Sequence, residues 1–598
     1  MPALSEAEGI QDLYRLRLEA GMTERENMKV SKSWLLELTK LEVSLDEVVR
    51  LLPLRTIGTK EITEDFIELD MKGYNRADLL SMRGVTYEVA AITDSKVNFD
   101  ETDENEYIWE SNKLPQAKVE VECPKLVPLY CIAKISGLRV EPSNKDWVKK
   151  LEDCGVRSVN NLADITNLAM LEYGQPMHAF DAGQVKDEVL IVRTAKDGEQ
   201  IVTLDEKKRD LIPSDILICD SEKALGLAGV MGGKNCEVTD ETNTILLEAA
   251  IFDPIFIRKT AQRLNLPSEA SRRFQHGLTK KRLLQALSAA IKMYQDLGGN
   301  LEAISIIGDT SEPTKKITVN QGRVNSLIGV DIKPEDIENY LKRLYFGVKK
   351  IENGWELEVP YYRLDVNIEA DVIEEIARMY GYEKIPSKKL EGNIPEKIDQ
   401  KLFDFIYNLK ISLVDLGLTE VQTYSFYSTK ILSDLGFRNS DLIKVSNPMS
   451  SETEYLRDML WPNLLEKVAF NLKQGYESIA IFEVGKVYVP RENDLPEEKY
   501  KLAIAIADGD DSIQKLYTIF QKLNEYFGDT KLEAGESELF HPVRAWQLMK
   551  GGRQVGQIGE VHPRITNKFG IEKRVAIIEL EISNKQACDL WSLKIRNL

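Results

Sequence analysis

The sequence predicts a mixed α+β protein of several domains. Its 598 residues exceed what one domain usually holds. Apolar residues make up 43% of the chain and charged residues 29%, which is the balance of a soluble globular protein. β-rich runs stand between segments with helical periodicity, and this mixture indicates domains that combine helices and sheets.

Changes in composition and periodicity divide the chain into five segments. The first is an extension that ends before Met28, and the second closes with an acidic stretch, 100–106, which is most simply a linker. The others are an α/β domain, a small α/β module and a domain with an antiparallel sheet. In order, the segments are 1–27, 28–115, 116–310, 311–390 and 391–598.

Individual elements follow from periodicity and from β-branched or aromatic runs. Helices are expected at Leu45–Leu52, Lys281–Leu297, Pro334–Leu344 and Ala370–Met379. Strands of the first four segments are expected at Phe66–Met71, Leu129–Ile135, Val189–Arg193, Ile216–Cys219 and Lys316–Val319. The sheet of the last segment is expected to include Glu420–Ser425, Ile479–Tyr488, Leu502–Ile506 and Val575–Leu580.

The net charge of −19 argues against a broad nucleic-acid-binding surface, which is usually basic. One stretch is an exception, because 255–282 carries eight basic residues and a single acid, Glu269. These basic residues could face phosphates, or they could be the solvated face of a helix. They are Arg258, Lys259, Arg263, Arg272, Arg273, Lys280, Lys281 and Arg282.

Cysteine usage and the apolar runs indicate a cytoplasmic protein. The six cysteines are scattered and include no CxxC pair, so neither a zinc ribbon nor a disulfide framework is expected. No run of about 18 apolar residues is present, so we expect no membrane partner. The N-terminus lacks the basic and apolar regions of a signal peptide.

Three separated segments carry residues that suit a small recognition pocket. The first segment joins Thr166-Asn167 to Tyr173–Asp181, which contains His178, one of only four histidines, close to a proline. Gly226–Gly233 is a glycine-rich strip that lets another group approach the backbone closely. Ile245–Ala250 places Glu248 in an apolar, strand-like run, where an unpaired carboxylate is costly to bury.

Both polar residues of these segments have two interpretations. A lone histidine such as His178 is more often a structural residue than a catalyst. Glu248 is either satisfied by a structural partner, for example Arg258, or it awaits a hydrogen-bond donor from a ligand.

Four carboxylates lie close together in the small module. Asp371, Glu374 and Glu375 share one helix face through their i, i+3, i+4 spacing, and Asp365 precedes the helix. Carboxylate oxygens suit Mg²⁺ with some of its water retained. The alternative is that these acids complement the dipole at the helix N-terminus, with Glu374 pairing to Arg378.

The last segment contains a loop, an arginine, a helix and a strand in a familiar order: Asn447–Ser450, Arg457, Trp461–Leu465 and Ile481–Gly485. This order resembles the motif 2 region of class II aminoacyl-tRNA synthetases, where an arginine would bind ATP phosphate bidentately. No later glycine-rich strand and helix with a second arginine follows to complete a nucleotide site.

Taken in order, these motifs resemble the β-subunit family of bacterial-type phenylalanyl-tRNA synthetases, in a shortened form. The resemblance runs from Met28 to about Ser583. It rests on Asn75–Asp78, Tyr173–Asp181, Gly226–Gly233, Leu247–Ala250, Ser268–Ser271, Arg363–Tyr382 and Asn447–Gly485. It implies an α/β editing domain at 116–310, a small winged-helix-like module at 311–390, and a class II synthetase-like antiparallel sheet domain without catalysis at 391–598.

The resemblance implies a function shared with a partner. An α subunit, in an α₂β₂ heterotetramer, would activate phenylalanine with ATP and Mg²⁺ and charge tRNA(Phe). The β subunit would hydrolyse mischarged Tyr-tRNA(Phe), with Glu248 accepting a hydrogen bond from the tyrosine hydroxyl that phenylalanine lacks. The implied editing pocket consists of Thr166, Asn167, His178, Ala228, Gly229 and Glu248. The implied magnesium ligands are Asp365, Asp371, Glu374 and Glu375.

The chain also departs from the family pattern. The stretch between Leu51–Gly58 and Phe66–Met71 leaves no room for the usual OB-type tRNA-binding insertion, and we expect the usual C-terminal anticodon-binding domain to be absent. Ala77 stands where proline is usual, and Gln275-His276 replaces an acidic–basic pair. Two alternatives to a working subunit therefore remain: a scaffold for the α subunit without enzymatic activity, and a free-standing Tyr-tRNA(Phe) deacylase.

Overall fold

The computed structural model describes residues 27–99, 107, 109, 114–389, 392, 400–437, 442–492, 494–528, 530–535 and 537–582. The chain divides into two compact units, 1–389 and 390–598. Helices and sheets occur in both, so the predicted α+β class is confirmed. Of the predicted extension only Asn27 is described, and the predicted linker 100–106 lies outside the described residues.

The first unit begins with a small module built around one antiparallel sheet, in the order β1-β4-β3. Its elements are β1 (Met28–Ser31), α1 (Lys32–Leu38), β2 (Thr39–Lys40), α2 (Leu45–Arg55), β3 (Thr59–Ile62), β4 (Phe66–Leu69), α3 (Met82–Thr93) and β5 (Lys96–Val97). Every residue of α3 is buried, and its two charged residues, Arg83 and Glu88, form ion pairs there.

The next part of the first unit contains two larger sheets and five helices. The elements in chain order are β6 (Lys118–Val121), β7 (Leu129–Ser136), α4 (Lys145–Asp153), α5 (Asn161–Tyr173), β8 (Met177–Asp181), β9 (Val189–Thr194), β10 (Gln200–Val202), β11 (Lys208–Asp210), β12 (Ile216–Cys219), β13 (Ala224–Leu227), β14 (Met231–Gly232), β15 (Ile245–Ile251), α6 (Pro254–Arg263), α7 (Glu269–His276), α8 (Lys280–Asp296) and β16 (Asn300–Gly308). One sheet has four strands in the order β16-β7-β15-β8, and the other has five in the order β14-β13-β12-β9-β6.

The four-stranded sheet separates two hydrophobic cores. Side chains alternate along β15, so Leu247 and Ala249 face one side while Leu246, Glu248 and Ala250 face the other. Helices α5 and α8 cover the first side. The five-stranded sheet, with α6 and α7, covers the second side, which therefore holds Glu248.

The first unit ends in a module with a three-stranded antiparallel sheet in the order β17-β19-β18. Its elements are β17 (Lys315–Asn320), α9 (Gln321–Ile328), α10 (Pro334–Arg343), β18 (Gly347–Ile351), β19 (Gly354–Val359) and α11 (Glu369–Tyr380). The strand and both helices predicted here are confirmed, whereas α9 was not predicted. One continuous hydrophobic core joins this module to the N-terminal module.

The second unit is built on a seven-stranded sheet in the order β20-β23-β24-β28-β27-β26-β25. Only the pair β20–β23 is parallel among these neighbours. The elements are α12 (Lys401–Asp415), β20 (Thr419–Glu420), β21 (Phe426–Tyr427), α13 (Thr429–Leu435), β22 (Tyr455–Leu456), α14 (Trp461–Lys473), β23 (Ile479–Val489), β24 (Glu497–Ala507), α15 (Ser512–Phe527), β25 (Lys531–Ala534), β26 (Phe540–Lys550), β27 (Arg553–Val561), α16 (Pro563–Lys568) and β28 (Ala576–Ile582).

The strand predicted at Glu420–Ser425 is shorter than expected, because β20 ends at Glu420. Val421 still donates its N–H to β23, but the carbonyl of Tyr424 accepts instead from the side chain of Asn463 at 2.7 Å. Across the part of the chain that the structure describes, no helix combines the length and hydrophobicity needed to cross a bilayer.

Candidate functional site

His178 and Glu248 are directly opposed on neighbouring antiparallel strands. Their Cα positions are partners in the register between β8 and β15, so both side chains emerge from the same face of the sheet. They line a pocket of about 70 Å³ together with the strip from Gly226 to Gly232. Phe252 and Phe274 close its apolar side. The three segments predicted to form a pocket therefore meet in space.

The start of β8 is held in place by a side chain that replaces a missing backbone donor. Continuing the register of Ala249 with Met177 would pair Ala250 with Pro176, which has no N–H. The buried Gln175 fills this gap, because its Nε2 donates to the Ala250 carbonyl at 2.9 Å. Helix α5 ends at Tyr173, and the next residue, Gly174, has a φ of 79° that directs the chain into this turn.

The glycine strip is close-packed rather than open. A Cβ placed on Gly232 would lie 2.7 Å from Cε1 of His178, so the histidine ring rests against this glycine. Gly229 has φ of 65°, and a Cβ there would lie 3.0 Å from Phe274 and from Ile257. The groups that approach the strip closely therefore belong mostly to the protein itself. They are the imidazole of His178 on one side and aromatic and aliphatic side chains on the other.

Glu248 is a buried carboxyl group without a cationic partner among the described residues. Burial raises the pKa of Glu248 to about 8, and the nearby Tyr130 hydroxyl offsets only part of that rise. Arg258, the structural partner considered from the sequence, is exposed on α6 and makes no ion pair with Glu248. Arg258 is therefore not the structural partner of Glu248, and the interpretation in which the carboxyl group awaits a ligand donor stays a prediction.

Tyr130 is the site residue that sequence reasoning missed. It is fully buried on β7, on the same face as Glu248, and its hydroxyl has no hydrogen-bond partner of normal geometry in the described chain. Burial and the neighbouring Glu248 raise the pKa of Tyr130 well above its usual value. The available signal was a tyrosine next to the apolar run Cys131–Ala133 of a strand, since a buried phenol usually needs a partner.

His178 is neutral at physiological pH. Burial lowers the pKa of its imidazole to about 4, although the side chain as a whole keeps some exposure. Its Nε2 is shielded from solvent and has no hydrogen-bond partner among the residues that the structure describes. A neutral imidazole with a ring nitrogen still unused can accept a hydrogen bond from water or from a ligand.

Four of the six predicted pocket residues meet, and two do not. His178, Ala228, Gly229 and Glu248 line the pocket. Thr166 and Asn167 lie in the middle of α5, which covers the opposite face of the sheet, and neither is among the lining residues. The Thr166 hydroxyl donates to the carbonyl of Ala163 at 2.7 Å.

Two of the predicted magnesium ligands are held by arginines. Arg363 binds Asp365 through Nε at 3.0 Å and Nη2 at 2.8 Å, and it binds Glu375 through Nη1 at 2.6 Å. The Nε of Arg378 donates to Glu375 at 2.9 Å. Burial opposes ionisation, but Arg378 and Arg363 hold the pKa of Glu375 well below its usual value.

The other two predicted ligands, Asp371 and Glu374, have different surroundings. Asp371 accepts from the backbone N–H groups of Asn367 at 2.7 Å and Ile368 at 2.9 Å at the start of α11, as the dipole interpretation expects. Glu374 is exposed, and the pairing expected with Arg378 is made by Glu375 instead. In this arrangement the four side chains do not fit a magnesium site, and the described residues include no group of three or more His, Cys, Asp or Glu placed to hold a metal.

Arg457 of the second unit binds groups of the protein itself rather than a nucleotide. It is buried and donates from Nη1 to Glu483 at 2.8 Å and to the Thr423 hydroxyl at 2.8 Å. Its Nε donates to the Lys486 carbonyl at 3.0 Å. A Cβ on Gly485 would lie 2.6 Å from its Nη2, so that glycine makes room for the guanidinium. ATP would have to displace these bonds.

The basic stretch 255–282 is not one continuous surface. Arg273 and Arg282 are buried, and they donate to the Leu80 carbonyl at 3.0 Å and to the Ser81 hydroxyl at 3.1 Å. Arg263, Arg272 and Lys280 form ion pairs with Asp215, Glu269 and Asp309. The solvated-face interpretation is therefore wrong for the buried Arg273 and Arg282, whereas Arg258, Lys259 and Arg263 are exposed. The five described cysteines are free.

Comparison with known proteins identifies the family. The chain is 33% identical over 549 residues to a protein of Staphylococcus haemolyticus named phenylalanine–tRNA ligase beta subunit, covering 87% of this chain and 66% of that one. A Lactococcus lactis protein of the same name is 32% identical over 542 residues, covering 87% of this chain and 67% of that one. The chain belongs to the phenylalanine–tRNA ligase beta subunit family. It spans about two thirds of the length of these curated relatives.

Family models match three parts of this beta-subunit chain. A B3/4 domain matches residues 126–299, a tRNA synthetase B5 domain matches 317–382, and the phenylalanyl tRNA synthetase beta chain CLM domain matches 385–582. The pocket around Glu248 therefore lies in the B3/4 part. A solved N-terminal fragment of the phenylalanyl-tRNA synthetase beta subunit from Pyrococcus horikoshii covers 59% of this chain at 17% identity, with a TM-score of 0.33, and 99% of that fragment is covered.

Proposed function

We propose that this chain is the β subunit of a phenylalanine–tRNA ligase and clears Tyr-tRNA(Phe) in the pocket around Glu248. An α subunit, expected as an α₂β₂ assembly, would bind ATP and attach phenylalanine to tRNA(Phe). Membership of the beta-subunit family supports the partnership. The buried Glu248, without a cationic partner and opposed to His178, is the observation that carries the editing role.

Discrimination would rest on one hydroxyl group. A tyrosyl side chain in the pocket brings a phenol that can exchange a hydrogen bond with the carboxyl group of Glu248, and a phenylalanyl side chain leaves that buried group without a partner. Leaving a buried polar group unsatisfied costs about 1–3 kcal/mol, and more when the group is charged. Sites built around a substrate hydroxyl discriminate well against the analogue that lacks it.

Hydrolysis would proceed by positioning of water rather than through a covalent intermediate. The neutral imidazole of His178 can accept a hydrogen bond from the water that attacks the ester carbonyl, and the amino acid leaves as its carboxylate while the ribose hydroxyl regains a proton. Thr166 and Asn167 are predicted to act at the ester end, although they do not line the pocket in this conformation. Magnesium remains a prediction of the family resemblance, and no step depends on it.

The proposal is tested by producing the chain together with its cognate α subunit and measuring charging and deacylation separately. We expect Glu248→Ala to charge phenylalanine normally and to lose clearance of Tyr-tRNA(Phe). The matched control is Glu241→Ala, because Glu241 is an exposed glutamate of the same domain. Unchanged Tyr-tRNA(Phe) hydrolysis in Glu248→Ala would refute the assignment of this pocket.

The same preparation separates the two alternatives. A scaffold would copurify with the α subunit and support charging, while the wild-type complex would clear no Tyr-tRNA(Phe). A free-standing deacylase would clear Tyr-tRNA(Phe) alone and would not retain the α subunit. The buried Arg457–Glu483 pair favours neither alternative, because it only argues that this chain does not supply the nucleotide site.

A further inference from the structure

A second, larger cavity of about 800 Å³ lies beside the pocket in the first unit. One wall is the turn after β4, with Lys72 and Tyr74, and the other is formed by α6, α7 and their connection, including Gln262 and Gln275. Cavities of roughly 300–1,000 Å³ are the size that binds small organic groups. We call this cavity the cleft.

The cleft and the pocket share a wall. Ile257 of α6 and Phe274 of α7 face the pocket, where both approach Gly229. Gln262 and Gln275, on the same two helices, face the cleft. The wall also joins the two cavities at its edge, because Ser268 lines the cleft and its hydroxyl donates at 2.7 Å to the carbonyl of Val230, a pocket residue. A ligand that fills the cleft is therefore next to the group that the pocket binds.

The side chains of the cleft suit nucleotides. Tyr74 is 44% exposed, so its ring offers a face on which a base can stack. Gln262, Asn265 and Gln275 provide amide donors and acceptors of the kind that read base edges. Lys72 is exposed at the rim. Apolar ligands would leave most of these polar groups without partners.

Positive charge extends from the cleft along α6. Arg258 and Lys259 are exposed, and neither forms an ion pair within the residues described. Arg258 lies one turn before Gln262 on the same helix, so the two occupy one face. In a chain with a net charge of −19, two unpaired cations beside a polar cleft are a local exception that suits phosphate groups.

We propose that the cleft binds the single-stranded 3′ end of the tRNA whose aminoacyl group enters the pocket. Tyr74 stacks on a base, the amides of Gln262 and Gln275 contact base edges or ribose, and Arg258 and Lys259 contact the phosphates. The proposal rests on the proposed editing function. It gives the two cations of the basic stretch a role, while the other basic residues hold the domain together.

The test compares two cleft variants with two controls in the complex of this chain and its α subunit. The cleft variants are Tyr74→Ala and the double substitution Arg258→Gln with Lys259→Gln. The controls are Tyr476→Ala, which removes an exposed tyrosine of the second unit, and Lys207→Gln with Lys208→Gln, which removes two exposed cations elsewhere in the first unit. Tyr-tRNA(Phe) hydrolysis is measured for KM and kcat separately.

We expect Tyr74→Ala to raise KM roughly five- to hundredfold with kcat nearly unchanged, since base stacking on an aromatic ring has that effect on affinity. The double variant should lower the slope of log affinity against log salt by about 1.4, the value for two phosphate contacts on a single strand. Cleft variants whose KM and salt slope match those of the controls would overturn the proposal.

Direct binding separates this proposal from the editing function itself. Fluorescence anisotropy with uncharged tRNA(Phe), with and without its last three nucleotides, should show tighter binding of the full-length tRNA by the wild-type protein. That difference should shrink in the cleft variants and persist in the controls. Equal affinity of the wild-type protein for both tRNAs would contradict the cleft proposal. Absence of Tyr-tRNA(Phe) clearance together with an intact binding difference would instead refute the editing role and leave the cleft as a tRNA site.

Discussion

The imidazole of His178 rests against Gly232, and the contact leaves no space for a side chain. A Cβ at Gly232 would lie 2.7 Å from Cε1 and 2.8 Å from Nε2 of the ring. Real Cβ atoms essentially never approach other atoms so closely, so a side chain at Gly232 would displace the imidazole from its place opposite Glu248. The last part of the glycine strip therefore determines where the histidine points.

Gly232→Ala should reduce Tyr-tRNA(Phe) clearance by moving His178, without unfolding the domain. The backbone at Gly232 is not in the left-handed region, so alanine adds no backbone strain. Gly58→Ala is the matched control, because Gly58 lies outside the pocket and its added Cβ would meet only the Cβ of Asp70, at 3.9 Å. The measurement is kcat and KM for deacylation, combined with His178→Gln in a double-mutant cycle.

The double-mutant cycle decides whether Gly232 acts through His178. If it does, adding Gly232→Ala to His178→Gln should change kcat little beyond the loss that His178→Gln causes alone. Independent, additive losses would mean that Gly232 matters for packing and not for the position of the imidazole.

Glu248→Gln should stabilise the protein, increasingly so as the pH rises from about 4.5 to about 8. The pKa of Glu248 is raised to about 8 by burial, whereas an unfolded glutamate titrates near 4.5. Between these values the folded state keeps a proton that the unfolded state has released, so the wild-type protein loses stability as the pH rises, by about 1.4 kcal/mol per pH unit at most. Glutamine does not ionise, so the variant does not lose stability in this way.

The measurement for Glu248→Gln is the midpoint of thermal or urea unfolding at several pH values, with Glu241→Gln as the control. The difference in unfolding midpoint between variant and wild type should be small at pH 4, should grow between about pH 4.5 and pH 8, and should level off above pH 8. A difference that does not change with pH would contradict the raised pKa of Glu248.

Arg457→Met should destabilise the second unit by about 3–5 kcal/mol, because it leaves the buried Glu483 without its cation. The double substitution Arg457→Met with Glu483→Leu removes both charges and should recover much of that loss. Urea unfolding measures both variants. ATP binding by the isolated chain should be undetectable before and after the substitution, and ATP binding that disappears with Arg457→Met would show that the arginine serves a nucleotide after all.

Glu375→Gln should cost far more stability than Glu374→Gln. Glu375 is buried between Arg363 and Arg378, and losing the charge of such a residue costs about 3 kcal/mol or more, whereas an exposed glutamate changes stability by about 0.5 kcal/mol or less. Addition of Mg²⁺ to the isolated chain should not shift its unfolding temperature. A shift with Mg²⁺ that Glu374→Gln abolishes would restore the carboxylate cluster as a metal site.

Sequence reasoning located the pocket segments because each carries a local signal. A carboxylate in an apolar strand, a histidine near a proline and a glycine-rich strip are each visible within ten residues. The helices at Pro334–Arg343 and Lys280–Asp296 were predicted within one residue for the same reason, since their periodicity is local. Thr166 and Asn167 were grouped with the histidine segment and given a role by the family resemblance, and the described pocket does not include them.

The arginine-held network could not be read from local spacing. The i, i+3, i+4 pattern correctly placed Asp371, Glu374 and Glu375 on one helix, but it says nothing about which cations approach from elsewhere. Arg378 also binds Glu88, 290 positions away in the chain. Spacing in the sequence shows only how many carboxylates lie near one another. The structure shows which of them are already paired with cations.

The sequence by itself determined the α+β class, most of the long helices and strands, and the membership of His178 and Glu248 in one candidate pocket. These depend on periodicity and on residue types within a short window. Only the tertiary structure decided that the imidazole lies against Gly232, that Glu248 has no cationic partner among the described residues, and that Arg457 and Glu375 form ion pairs inside the protein. Each of these depends on distances between residues far apart in the chain, and such distances exist only after folding has brought the elements together.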